Sequence, residues 1–184
     1  LCTIPFLEKV IAAGIDSFKI EGRNRNPEYV ATVTRCYRRA IDAHFEGCLD
    51  QALKDELVAE LGGVFNRKFS AGFYHDRRIA DFTQSRGSQA EYRKELVGRV
   101  NTYYRQVGVV EIEVQSCSFS VGDEMMIQGP TTGVVRFCPE EIRVDGTPVN
   151  TAPRALVTCK LDDRVRTNDK VFIRVLRQGK RFGE

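Results

Sequence analysis

Residues 14–42, GIDSFKIEGRNRNPEYVATVTRCYRRAID, set one strand-like run between two helical ones. In IDSFKIEG, residues 15–22, Phe18 and Ile20 alternate with polar neighbours, the period of a strand with one buried face. The preceding IPFLEKVIAA, residues 4–13, gathers Leu7, Val10 and Ile11 on one side of a helix, with Gly14 where a left-handed C-terminal residue is wanted. The following run has Asn26 as N-cap and Pro27 in the first turn. Val30, Val33, Tyr37, Ala40 and Ile41 then recur at helical spacing until Gly47. A lone strand cannot pair its own peptide groups, so residues 1–47 read as the last α/β unit of a sheet whose other strands lie outside this chain. The start at Leu1 rather than Met agrees with a piece of a longer protein. EGRNRN is then the loop at the carboxyl end of the strand, where α/β folds place their chemistry.

The rest of the chain changes character twice. DQALKDELVAELGG, from Asp50, carries Leu53, Leu57 and Leu61 on one helical face, and VFNRKFSAGFYHDRRIADF is aromatic and basic without a sustained period. Residues 48–92 thus read as a helix and an aromatic linker segment, with a polar boundary between Phe82 and Lys94. From residue 93 to 184, about six short β-branched runs are separated by turn signals such as Gly122-Asp123 and Asp145-Gly146, which fits a small antiparallel barrel or sandwich.

A net charge of +3 is too mild to argue for nucleic acid, and the basic cluster Arg35, Arg38 and Arg39 reads first as a solvated helix face. No apolar run reaches the roughly 18 residues of a spanning helix, and no signal peptide is visible, so a cytoplasmic protein without membrane contact is expected. The six cysteines show no CxxC pair and read as free thiols, with Cys36, Cys138 and Cys159 packing as small apolar groups. Neither His44 nor His75 has a nucleophile near it in sequence. Lys19, Glu21, Arg23 and Arg25 crowd into seven residues ahead of a helix N-terminus, a set suited to a carboxylate or phosphate. A buried Lys19–Glu21 pair closing a barrel end fits the same spacing. The aromatic pairs Tyr103, Tyr104 and Phe73, Tyr74 suit base stacking or ordinary packing equally.

FKIEGR followed at fixed distance by PEYVATV, within LCTIPFLEKVIAAGIDSFKIEGRNRNPEYVATVTRCYRRAID, resembles the end of the catalytic domain of the collagenase-like peptidase family, the peptidase family of unknown catalytic type numbered thirty-two. FNRKFSAGFY, FSVGDEMMIQGP and VRTNDKVFIRV resemble its post-barrel motif and C-terminal β-barrel. The resemblance implies an α+β chain: a helix-strand-helix remnant of a TIM-like barrel, then a small antiparallel β-barrel similar to the second domain of elongation factor Tu. It also implies contact with the remainder of that barrel.

Members of the family are associated with oxygen-independent hydroxylation of tRNA, ribosomal RNA or quinone precursors. They hold an iron-sulfur cluster on four cysteines, and the RNA-acting branch uses prephenate. Others were named as collagen-degrading peptidases, with no settled catalytic residues. Carried over, Cys2 falls at the last cluster cysteine, and the other three ligands would precede Leu1. Asn24, Arg25 and Asn26 stand where Met, Lys and Ser are commoner, which bears on the ligand of that loop. The expectation is an RNA hydroxylase whose β-barrel holds RNA, or a peptidase acting on collagen-like or unfolded polypeptide. This segment alone would be a binding module.

Overall fold

The computed structural model describes residues 1–74 and 87–177, which fall into two compact units, Leu1–Glu91 and Tyr92–Glu184.

The first unit is helical. A 3₁₀ turn, Ile4–Phe6, runs into α1, Leu7–Ala12, and Gly14 follows at φ +80°. Helix α2, Pro27–Phe45, begins where the Asn26 side chain accepts the Tyr29 N–H at 2.9 Å. Helix α3, Gln51–Gly62, begins where Asp50 accepts the Leu53 N–H at 2.8 Å. Each cap satisfies a donor that the first helical turn leaves orphaned. Ile4, Leu7, Cys36, Ala40 and Leu57 are fully buried between these elements. Lys54, buried on α3, is satisfied by Glu8 at 2.8 Å.

The strand expected over 15–22 does not form a ladder: these residues carry no secondary structure, and the first unit supplies no strand among its described residues. The side-chain alternation nevertheless survives. Phe18 and Ile20 pack against the helical core, and Phe18 lies 6.1 Å from the Tyr37 ring, while Ser17, Lys19 and Glu21 are exposed. A pleated face needs only a surface to bury against, whereas a strand needs a partner.

The second unit is an eight-stranded antiparallel sheet among the described residues, two strands more than the turn signals suggested. Its strands are β1 Tyr92–Tyr104, β2 Val109–Val114, β3 Met125–Gly129, β4 Gly133–Phe137, β5 Ile142–Val144, β6 Thr147–Val149, β7 Leu156–Lys160 and β8 Lys170–Leu176. The order is β4-β3-β8-β1-β2-β7-β5-β6. The short β5–β6 hairpin escaped the sequence reading because each strand is three residues long. Its turn is Asp145-Gly146, both at positive φ (48° and 80°), as a two-residue hairpin turn demands. Cys138 is exposed rather than packed, because β4 ends at Phe137 and the chain turns there.

The long β1 makes this sheet possible. It pairs with β8 along its first half and with β2 along its second, and its register shifts between Leu96 and Gly98 and again between Val100 and Thr102. At the changeover the Val97 carbonyl accepts both the Gln115 and Ser116 N–H groups at 2.9 Å. A bulge of this kind bends the strand and lets one face close over the core of Val97, Val100, Ile112, Ile127, Val157 and Val171. Gly98 sits at the bend, where a Cβ would lie 1.9 Å from the Glu113 carbonyl oxygen. Gly98→Ala is therefore expected to destabilise the chain by about 3 kcal/mol, since neighbouring backbone cannot yield as a side chain does. Urea unfolding monitored by circular dichroism checks this, and an unchanged midpoint would contradict the close approach.

Candidate functional site

One cavity of about 300 Å³ opens in the helical unit. Two stretches of sequence build most of it: the loop and the α2 face that carry Arg25, Tyr29 and Tyr37, and the segment Phe65–Phe69. Leu1 and Cys2 complete its wall.

The Phe65–Phe69 loop is held by its own hydrogen bonds. The Asn66 amide donates to the Gly62 and Val64 carbonyls at 3.0 Å and accepts the Lys68 N–H at 3.1 Å, and the Asn66 carbonyl accepts the Gln89 N–H at 2.7 Å. Lys68 takes a left-handed φ of 70°, the conformation that Asn66 braces. The start of the chain is tied alongside, with the Cys2 N–H donating to the Ser70 carbonyl at 3.0 Å. The Thr3 N–H donates to the Tyr37 hydroxyl at 3.0 Å.

Across the cavity mouth, the Arg25 guanidinium lies 4.0 Å over the Phe65 ring and 5.7 Å from Tyr29. Arg25, Arg67 and Lys68 are all exposed. The charge pattern on the neighbouring helices is different. Arg35, Arg38 and Arg39 form ion pairs with Glu60, Asp42, and Glu56 together with Glu60, respectively. That basic cluster is exposed, as the solvated-face reading expected, and it is also neutralised by ion pairs, whereas the cations free of ion pairs among the described residues include Arg67 and Lys68.

Of the four residues grouped by sequence, the fold brings only Arg25 to the cavity wall. Lys19, Glu21 and Arg23 are exposed, and the Glu21 carboxylate accepts the Arg23 N–H at 2.9 Å, so Lys19 and Glu21 make no buried pair in this chain. Arg67, Lys68, Asn66 and Phe65 were visible in sequence only as an aromatic and basic run without a period. Their convergence with Arg25 required the turn after α3. Tyr104 is exposed, whereas Tyr103 is half-buried and donates to the Leu161 and Asp162 carbonyls, which assigns it to packing. Phe73 and Tyr74 are exposed, and Tyr74 lies 5.6 Å from the Phe6 ring. His44 faces its neighbour Phe45 edge-on at 5.2 Å, and His75 lies outside the described residues.

Cys2 is buried at the cavity wall, and burial raises its thiol pKa. Among the described residues no group of three or more His, Cys, Asp and Glu converges on a point. The residues present therefore offer one thiol toward a cluster that takes four, and do not fit such a group by themselves. No helix of the described residues is long and apolar enough to cross a membrane.

Residues 1–83 match the profile of peptidase family U32. A collagenase of Porphyromonas gingivalis is 40% identical over 173 residues, which is 94% of this chain and 42% of that protein. The chain belongs to peptidase family U32. The matched span contains every residue of the cavity wall, and the family resemblance read from FKIEGR and PEYVATV is borne out. Another relative is the tRNA hydroxylation protein P1 of Bacillus subtilis, 31% identical over 181 residues, 96% of this chain and 41% of that protein. The C-terminal domain of a Geobacillus thermoleovorans protein assigned to the U32 peptidases superposes with a TM-score of 0.40 at 23% identity, over 43% of this chain and 91% of that one. This U32 chain thus spans less than half the length of the curated relatives named.

The thiols give a pH signature. All six cysteines are free. Burial pushes Cys159 from its ordinary 9.0 up to about 12. Burial, with a lesser contribution from Glu60, does the same for Cys36. The folded chain thus keeps protons that the unfolded chain releases from about pH 9 upward, so this stability is complete below pH 9 and is lost as pH rises toward 12. Urea midpoints are expected to fall progressively above pH 9. Alkylation read by peptide mass spectrometry should label exposed Cys48 and Cys138 before Cys36 and Cys159.

Proposed function

We propose that this chain is part of a cytoplasmic RNA hydroxylase of the U32 family that modifies tRNA or ribosomal RNA with prephenate as co-substrate. In this reading residues 1–47 close a TIM-like barrel and residues 93–184 are a β-barrel domain, similar to the second domain of elongation factor Tu, that helps hold RNA. Cys2 would contribute one thiolate to an iron-sulfur cluster completed from outside this chain. The observation that carries the reading is the meeting of Cys2 with three cations, Arg25, Arg67 and Lys68, and an aromatic wall in one cavity. Cations satisfy phosphates, and rings stack on bases. Lys19 and Arg23, exposed on the same loop, extend the positive approach, and Glu21 orders it through the Arg23 N–H. The 31% identity to a tRNA hydroxylation protein over nearly the whole chain supports the same choice.

A peptidase acting on collagen or unfolded polypeptide is the second reading, favoured by the 40% identity to a collagenase. Nucleoside mass spectrometry separates the two. In cells lacking the full-length protein a hydroxylated nucleoside should disappear from tRNA or ribosomal RNA. It should return with the wild-type gene and stay absent with Cys2→Ala. An unchanged nucleoside profile together with gelatin cleavage by the purified full-length protein would establish the peptidase instead.

A further inference from the structure

We propose that the cavity of the helical unit is a pocket for a single splayed-out nucleotide of unpaired RNA, its base on the Arg25–Phe65 stack and its flanking phosphates on Arg67 and Lys68. The proposal rests on the RNA reading above and goes further by naming what the cavity holds and which side chains read which part of it.

Size comes first. About 300 Å³ is at the small end of ligand pockets, enough for one nucleotide and too little for a duplex. The chemistry of the wall divides into two parts. The Arg25 guanidinium lies 4.0 Å from the Phe65 ring centroid and 5.7 Å from that of Tyr29, within cation–π reach of both rings. Arg25 is exposed and so accessible to a further flat group, and a nucleobase stacks on guanidinium planes as readily as on aromatic rings. Arg67 and Lys68, exposed and free of ion pairs among the described residues, supply positive charge that nothing within the loop spends. Their loop is braced by the four hydrogen bonds of Asn66, so little ordering remains to be done on binding. A neutral collagen-like strand would use neither the stacked guanidinium nor the unspent cations. Free inorganic phosphate would use the cations alone.

Binding of a labelled single-stranded oligoribonucleotide of mixed sequence to the purified chain, followed by anisotropy across a salt series, tests the proposal. Competition by mononucleotides should exceed that by inorganic phosphate by at least about tenfold, and duplex RNA should compete poorly. Arg67→Gln and Lys68→Gln, both at exposed positions, should each lower the salt slope by about 0.7. Arg25→Lys keeps the charge but loses the plane. It should weaken binding about tenfold while leaving the slope unchanged. Phe65→Leu should weaken binding in the same direction.

RNA binding that none of these four variants alters would overturn the pocket while leaving the RNA hydroxylase reading intact. Inorganic phosphate competing as well as mononucleotides, or gelatin peptide displacing the RNA, would also overturn it. Oligoribonucleotide binding that depends on Arg25 and Lys68, in a protein whose deletion leaves the nucleoside profile of cellular RNA the same as wild type, would support the pocket and remove the hydroxylase reading alone.

Discussion

Every peptide group must find a hydrogen-bonding partner, and the two units of this chain meet that demand in different ways. The helical unit satisfies it within each helix and at caps supplied by Asn26 and Asp50. The sheet unit satisfies it across ladders, with the interior strand β1 paired to β8 on one edge and β2 on the other. Residues 15–22 satisfy it in neither way. They are mostly exposed, and only the side chains of Phe18 and Ile20 are drawn into the core. The loop that follows this stretch carries Arg25 to the cavity.

Electrostatics then separates structural from available charge. Arg35 and Arg39 on α2 reach carboxylates on α3, and Arg38 reaches Asp42 one turn along its own helix. Exposed pairs of this kind contribute little stability, about 0 to 1 kcal/mol each, but they cancel the field of the cluster. The turn after α3 holds basic residues without carboxylates beside them, and it leaves the positive potential at the cavity rather than on the helices.

Most of the element plan could be read from residues alone. Asn26-Pro27, Asp50, Gly14 and Gly47 each mark a helix boundary through a cap or a left-handed residue, which are local effects. The strands of the β5–β6 hairpin, three residues each, have too few positions to show a period, although the Asp145-Gly146 turn between them carries its own signal. The candidate site was half legible. Charge density in one loop points to Arg25, whereas Phe65, Asn66, Arg67 and Lys68 sit in a run without any period.

Sequence by itself determined the family, the helix caps, the hairpin turns and the side-chain alternation of Phe18 and Ile20, because each depends on neighbours a few residues away. Tertiary structure decided which charges are spent and which are free, that residues 15–22 form no ladder, and that Arg25 meets Phe65 forty residues on. Those outcomes depend on which surfaces come together when Leu57 and Leu61 bury against α2 and the first turn, and no local pattern encodes that meeting.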